Sequence, residues 1–169
     1  MPVNRNLWLG FLIATACVIY MIESLIMRFL PMSFLRLGLS NIIILHLVTE
    51  RQYKHAFVVN IAKSLIGGFF TYTLISPATM LSISGGIAAL LVMMAAKSSK
   101  LGFSIYGISI AGAVLHNLTQ LALVKYTIIP NVQVFVLTPI LLLLGMVSGI
   151  VVAYLTLIFR DKIKDLRLT

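Results

Sequence analysis

Long apolar runs separated by short polar breaks limit this chain to few architectures. Six stretches, 7–27, 37–49, 56–75, 80–96, 103–124 and 134–159, take up most of its 169 residues. A bilayer-spanning helix needs about 20 predominantly apolar residues, within roughly 17 to 25. Inside hydrocarbon a backbone must satisfy its own hydrogen bonds, which favours helices. The expected fold is therefore all-α: one integral membrane domain over 1–169, a bundle of six transmembrane helices. The 37–49 run is the shortest and is expected to be a short or tilted span. Only 10% of residues are charged and the mean hydropathy is +1.08. Soluble domains carry roughly a quarter charged residues. The 7–27 run is too long for the apolar region of a signal peptide, and no small-x-small cleavage pattern follows it. It is expected to be retained as the first span.

Six spans place both termini on one side. With the termini inside, the inner segments hold nine basic residues: Arg5, Arg51, Lys54, Lys97, Lys100, Arg160, Lys162, Lys164 and Arg167. The outer segments hold three, Arg28, Arg36 and Lys125. Basic residues collect on the cytoplasmic side, so both termini are expected to be cytoplasmic, in a multi-pass protein of the cell membrane. The net charge of +9 is then a matter of topology and does not point to nucleic acid. The lone Cys17 excludes a disulfide framework and a cysteine metal site.

The 107–120 stretch, GISIAGAVLHNLTQ, stands out within the fifth run. On a 3.6-residue helix Ser109, Gly112, His116 and Gln120 share one face, with Asn117 beside them. Ile110, Val114, Leu118 and Leu121 lie opposite. Polar residues at membrane depth are costly and mark an interior contact or a functional site. The others in the runs are few: Glu23, Arg36, Asn41, Asn60 and Lys63. Asn60, Lys63, Gly67 and Thr71 share a face of the third run, and Ala16, Tyr20, Glu23 and Met27 one of the first. Two readings stand side by side. Either Glu23 pairs with Arg36 or Lys63 and the amides join helices, or the set lines an outward-biased pocket. The excess of Arg36, Lys63 and His116 over Glu23 hints at a ligand with an anionic group.

Small-residue ladders occur at Gly145, Gly149 and Ala153, at Gly85 and Ala89, and at Gly10 and Ala14. They permit close helix approach, either within the bundle or onto a membrane partner. Several chemistries have no residues to carry them. GxxxxGK[ST] is missing, so the chain does not hydrolyse ATP by a P-loop. HExxH and clustered metal ligands are also missing. Prenyl-diphosphate chemistry would need aspartate clusters to hold magnesium. The only acids are Glu23, Glu50, Asp161 and Asp165. No catalytic residue, cofactor or metal is expected.

The segments PMSFLRLGLSNIIIL, NIAKSLIGGFF, LSISGGIAALLVMMAAK and GISIAGAVLHNLTQLALVKY resemble the Gx transporter family, whose members are often labelled heptaprenyl diphosphate synthase component I. GISxxGAxxHNxxQ is the most specific part. One departure is Arg36 with LGLSN, where a lysine-type residue and LGLAN are the family pattern. The family is similar to the substrate-binding S-components of energy-coupling factor (ECF) transporters. This resemblance implies a six-helix importer subunit that binds a small vitamin-like, isoprenoid or quinone-related solute. Its partners would be a transmembrane coupling subunit and two ATPase subunits. Glu23, Arg36, Asn41, Lys63, His116, Asn117 and Gln120 would contact the solute, and the loop around Pro31 would act as a lid. Gly10 and Ala14 would dock the coupling subunit. The synthase label implies something else: a non-catalytic membrane component of heptaprenyl diphosphate synthase. A third possibility is a proton-coupled carrier using Glu23 and His116, but the two halves show no convincing repeat.

Overall fold

The computed structural model describes residues 5–27, 38–128 and 133–168. Within them the chain forms six α-helices: α1 (Arg5–Met27), α2 (Asn41–Thr49), α3 (Tyr53–Phe70), α4 (Pro77–Ser98), α5 (Ile105–Leu123) and α6 (Thr138–Leu168). The all-α reading holds, but six transmembrane helices do not. Among the described residues, four helical stretches are long and apolar enough to cross a membrane: Asn6–Ile26, Pro77–Ser98, Ile105–Thr127 and Phe135–Ile163. The chain is a multi-pass membrane protein on that ground.

The second and third expected spans fall short for different reasons. Helix α2 has 9 residues. At about 1.5 Å per residue it covers under half of the ~30 Å hydrocarbon core. An apolar run of that size is more often a buried core helix than a span. That is its place here: Asn41 to Val48 are all buried, and α2 packs against α1, α3, α4 and α6. Helix α3 has 18 residues, but Lys54, His55, Asn60 and Lys63 reduce its apolar character. Its outer face, Phe57, Val58, Leu65 and Ile66, is nevertheless exposed and apolar.

The loss of two spans also removes the topological count. The count of nine against three assumed six spans, so with four it no longer orients the termini. Packing groups the charges instead. Tyr53 Oη lies 3.3 Å from Ser98 Oγ, and the His46 and Phe159 rings meet edge to face at 5.5 Å. Arg51, Lys54, Lys97, Lys100, Arg160 and Lys162 therefore collect at one end of the bundle.

Local chemistry sets the helix ends. After α2, Gln52 N–H donates to Leu47 C=O and Arg51 N–H to Val48 C=O, with Arg51 at φ +57°. After α3, Thr73 and Tyr72 repeat this pattern onto Gly68 and Phe69, with Tyr72 at φ +56°. Both are Schellman closures with a non-glycine residue in the left-handed position. Helix α4 starts at Pro77, earlier than the expected 80, because a proline at the first helical position lacks only an N–H that no partner requires. Ser104 caps α5 by accepting from Gly107 N–H at 3.2 Å. Beyond Leu123 the helix widens into a π-helix, Val124–Ile128, where a loop was expected. Helix α6 begins at Thr138 after a 3-10 turn, with Pro139 in its first turn.

The ladders separate into two kinds. At Gly149, a Cβ would lie 2.6 Å from the Ile110 Cα, and at Gly145 one would lie 3.0 Å from the Val114 Cα. This ladder joins α6 to α5 within the bundle. Gly10 has open space around it and Ala14 is exposed on the outer face of α1. Gly149→Leu is expected to destabilise the protein by about 1–3 kcal/mol or more, because the added carbons meet backbone that cannot rotate aside. Gly10→Leu should leave the melting temperature in detergent nearly unchanged. Equal melting temperatures for the two variants would contradict this seam.

Candidate functional site

The first turn of α2 is where the buried charges converge. Gly38, at φ +74°, turns the chain into α2, a conformation open to glycine at little cost. Its N–H donates to Glu23 Oε1 of α1 at 2.5 Å. From the other side Lys63 of α3 donates through Nζ to Asn41 Oδ1 at 2.6 Å and Ser40 Oγ at 2.9 Å. Glu23 and Lys63 are each only 2% exposed. Burying a charge is expensive unless it is hydrogen-bonded or paired. These bonds use formal charge to fasten α1 and α3 to the start of α2. One residue past Lys63, Ser64 Oγ meets Ser82 Oγ of α4 at 3.1 Å.

One turn before Lys63 the same α3 face carries Asn60. Its side chain occupies the space a Cβ would need at Gly86 of α4. On the neighbouring side of α4, a Cβ at Gly85 would lie 3.0 Å from His116 Cε1 and 3.2 Å from Gln120 Cγ. The Gly85-Gly86 pair thus admits Asn60 from α3 and His116 and Gln120 from α5 to the same level of the bundle. Asn60 and Gln120 are fully buried, and neither amide has a hydrogen-bond partner among the described residues. Ser109, two turns from His116, is also buried with its hydroxyl unpartnered there.

Most of the expected contact residues are therefore interior, but they do not form one group. Glu23, Asn41 and Lys63 join at the start of α2. His116 and Gln120 sit beside Gly85. Asn117 is turned away from both: its Nδ2 donates to Leu141 C=O of α6 at 3.1 Å. Asn117 acts as an interhelical fastener, one of the two readings open from the sequence. Arg36 and the loop around Pro31 lie outside the described residues. The sequence reading passed over Ser40, which a polar residue next to Asn41 at a helix start could have signalled. It also missed the Ser64–Ser82 contact, and no periodicity predicts which serines face one another.

The sequence pattern of heptaprenyl diphosphate synthase component I matches residues 12–159. The chain belongs to the heptaprenyl diphosphate synthase component I family. Membership overturns the importer reading. The match carries a synthase component and not a transporter, so the S-component role, the solute uptake, the coupling subunit and its two ATPases are withdrawn together. The Gx transporter part of the resemblance gains nothing from it. The label names one component of a synthase, in line with the reading that this chain is not itself an enzyme. None of the curated proteins and none of the solved structures matches the chain.

The α2 joint can be tested on its own. Lys63→Met removes two hydrogen bonds from a charged donor, each worth about 1.5–3 kcal/mol. Its melting temperature should fall well below that of Lys54→Met, which alters an exposed lysine on the same helix. Indistinguishable curves for the two variants would remove Lys63 from this role.

Proposed function

We propose that this chain is the non-catalytic membrane component of a heptaprenyl diphosphate synthase, working beside a separate catalytic component II. The observation that carries the proposal is the family match over 12–159. The acid count supports the division of labour. Transfer of a prenyl group from its diphosphate calls for carboxylates that hold magnesium. Here Glu23 is buried against Gly38, and no three His, Cys, Asp or Glu side chains cluster among the described residues. Asp165 shares the last ten residues with Arg160, Lys162, Lys164 and Arg167. Magnesium and the condensation would belong to component II. The membrane chain would keep the synthase at the bilayer, into which a long isoprenoid partitions, and would receive that isoprenoid among its buried polar residues. Of these, His116 and Gln120 beside Gly85 are the proposed contacts, since Glu23, Asn41 and Lys63 are engaged at the start of α2.

Two measurements test this. Affinity purification of the tagged chain from native membranes should bring down a soluble, aspartate-rich prenyltransferase. Deleting the chain should lower the synthesis of heptaprenyl diphosphate or shorten its product. A partner-free purification together with unchanged product length and rate would refute the proposal.

A further inference from the structure

An apolar groove of about 440 Å³ runs along the outer side of the α3–α4 seam. Tyr53, Lys54 and Phe57 of α3 line it, with Ile87, Leu91 and Met94 of α4. Its two ends differ in charge. At one end Tyr53 Oη lies 3.3 Å from Ser98 Oγ, which joins the first turn of α3 to the last turn of α4. Lys54 follows Tyr53, and Lys97 precedes Ser98. Lys97 also stands three residues past Met94, on the stripe of α4 that lines the groove. The two lysines therefore flank the same end. Neither α3 nor α4 contains an acidic residue to neutralise them, and Glu50, three residues before Tyr53, is followed by Arg51.

Depth and charge together specify an occupant. Lys97 lies in the last turn of the apolar stretch Pro77–Ser98, the level at which hydrocarbon gives way to head groups. From Lys97 back to Ile87 is about 15 Å of helix, half of the ~30 Å hydrocarbon core and so the depth of one leaflet. Phe57, Val58 and Leu91 are exposed along this length, an apolar surface suited to a lipid chain. A zwitterionic head brings its own cation to its phosphate, whereas an anionic head leaves a negative charge for the lysines to meet. A lysine ammonium is a point charge well suited to phosphate, and basic pockets between membrane helices select anionic heads. We propose that Lys54 and Lys97 hold the phosphate of an anionic phospholipid whose acyl chain lies in the α3–α4 groove. The lipid covers the apolar outer face of α3, a helix that lacks the apolar character of a span.

Native mass spectrometry of the delipidated full chain, titrated with phosphatidylglycerol or phosphatidylcholine, tests the site. Phosphatidylglycerol should bind saturably at concentrations where phosphatidylcholine binds little. Combined Lys54→Gln and Lys97→Gln should weaken phosphatidylglycerol binding about twentyfold, or about fivefold for each lysine, and leave phosphatidylcholine unchanged. Lys125→Gln, beyond the far end of α5, should bind as wild type does. Leu91→Trp, which fills the groove from an exposed position, should also weaken phosphatidylglycerol binding and covers the case in which the double variant does not fold. Glycerol phosphate supplies an anionic head without a chain, and farnesyl diphosphate an anionic isoprenoid; both should compete poorly. The assignment is overturned by equal binding of the two phospholipids, or by phosphatidylglycerol binding that survives either groove variant. Displacement by glycerol phosphate or farnesyl diphosphate at lower concentration would overturn it as well.

Discussion

A nine-residue helix buried on every side is the constraint around which this bundle is built. A short helix has many unsatisfied end groups relative to its length. At the start of α2 the Asn41 and Ile42 N–H groups donate to the Gly38 and Leu39 carbonyls, and Glu23 and Lys63 hold that turn in place through Gly38 N–H and the Ser40 and Asn41 side chains. The carboxylate suits the positive end of the helix dipole, and the ammonium reaches it through side-chain oxygens of Ser40 and Asn41. At the other end, Arg51 in the left-handed conformation closes the last turn onto its own backbone. The α1, α3 and α4 positions follow from this joint, together with the Ser64–Ser82 contact. The α5–α6 pair is held differently, by backbone contact at Gly145 and Gly149 and by the Asn117 bond to Leu141.

Much of this was readable in the residues, and the failures have physical causes. Apolar length located α1, α4, α5 and α6, because hydrocarbon thickness sets a minimum length for any spanning helix. The same rule was over-applied to 37–49, whose apolar character reflects burial among helices and not exposure to lipid. Helical periodicity placed Ser109, Gly112, His116 and Gln120 on one buried face, since side-chain direction follows from backbone geometry. Periodicity also put Asn117 beside that face, yet the residue serves α6. A helical wheel gives the angle of a side chain but not the identity of the neighbour at that angle. The same limit hid the separation of Lys63 from Gln120, which belong to different contacts of a shared interior.

The functional reading shifted for a related reason. A polar-lined interior in an apolar bundle is compatible with an importer subunit, a carrier or a synthase component, because all three need buried polar atoms. Shape and patterning constrain where such atoms sit. They say little about the reaction that the assembled complex performs. Membership in the component I family narrows that choice. What the geometry adds is the distinction between buried polar groups that hold the fold and those that do not. Glu23, Asn41, Lys63 and Asn117 have structural partners, and Asn60 and Gln120 have none among the described residues.

Helix α6 has a consequence of its own. Its 31 residues make a rod of about 46 Å, against a hydrocarbon core of roughly 30 Å. The excess, about three turns, continues past the apolar stretch without a break and carries Arg160, Asp161 and Lys162. A flexible tail would let a bound subunit wander. A continuous helix fixes the height of these charges above the bilayer and their bearing around the α6 axis. Because Gly145 and Gly149 lock the same rod against α5, that height and bearing are indexed to the interior of the bundle. The helix therefore acts as a ruler joining whatever meets its end to the buried amides within.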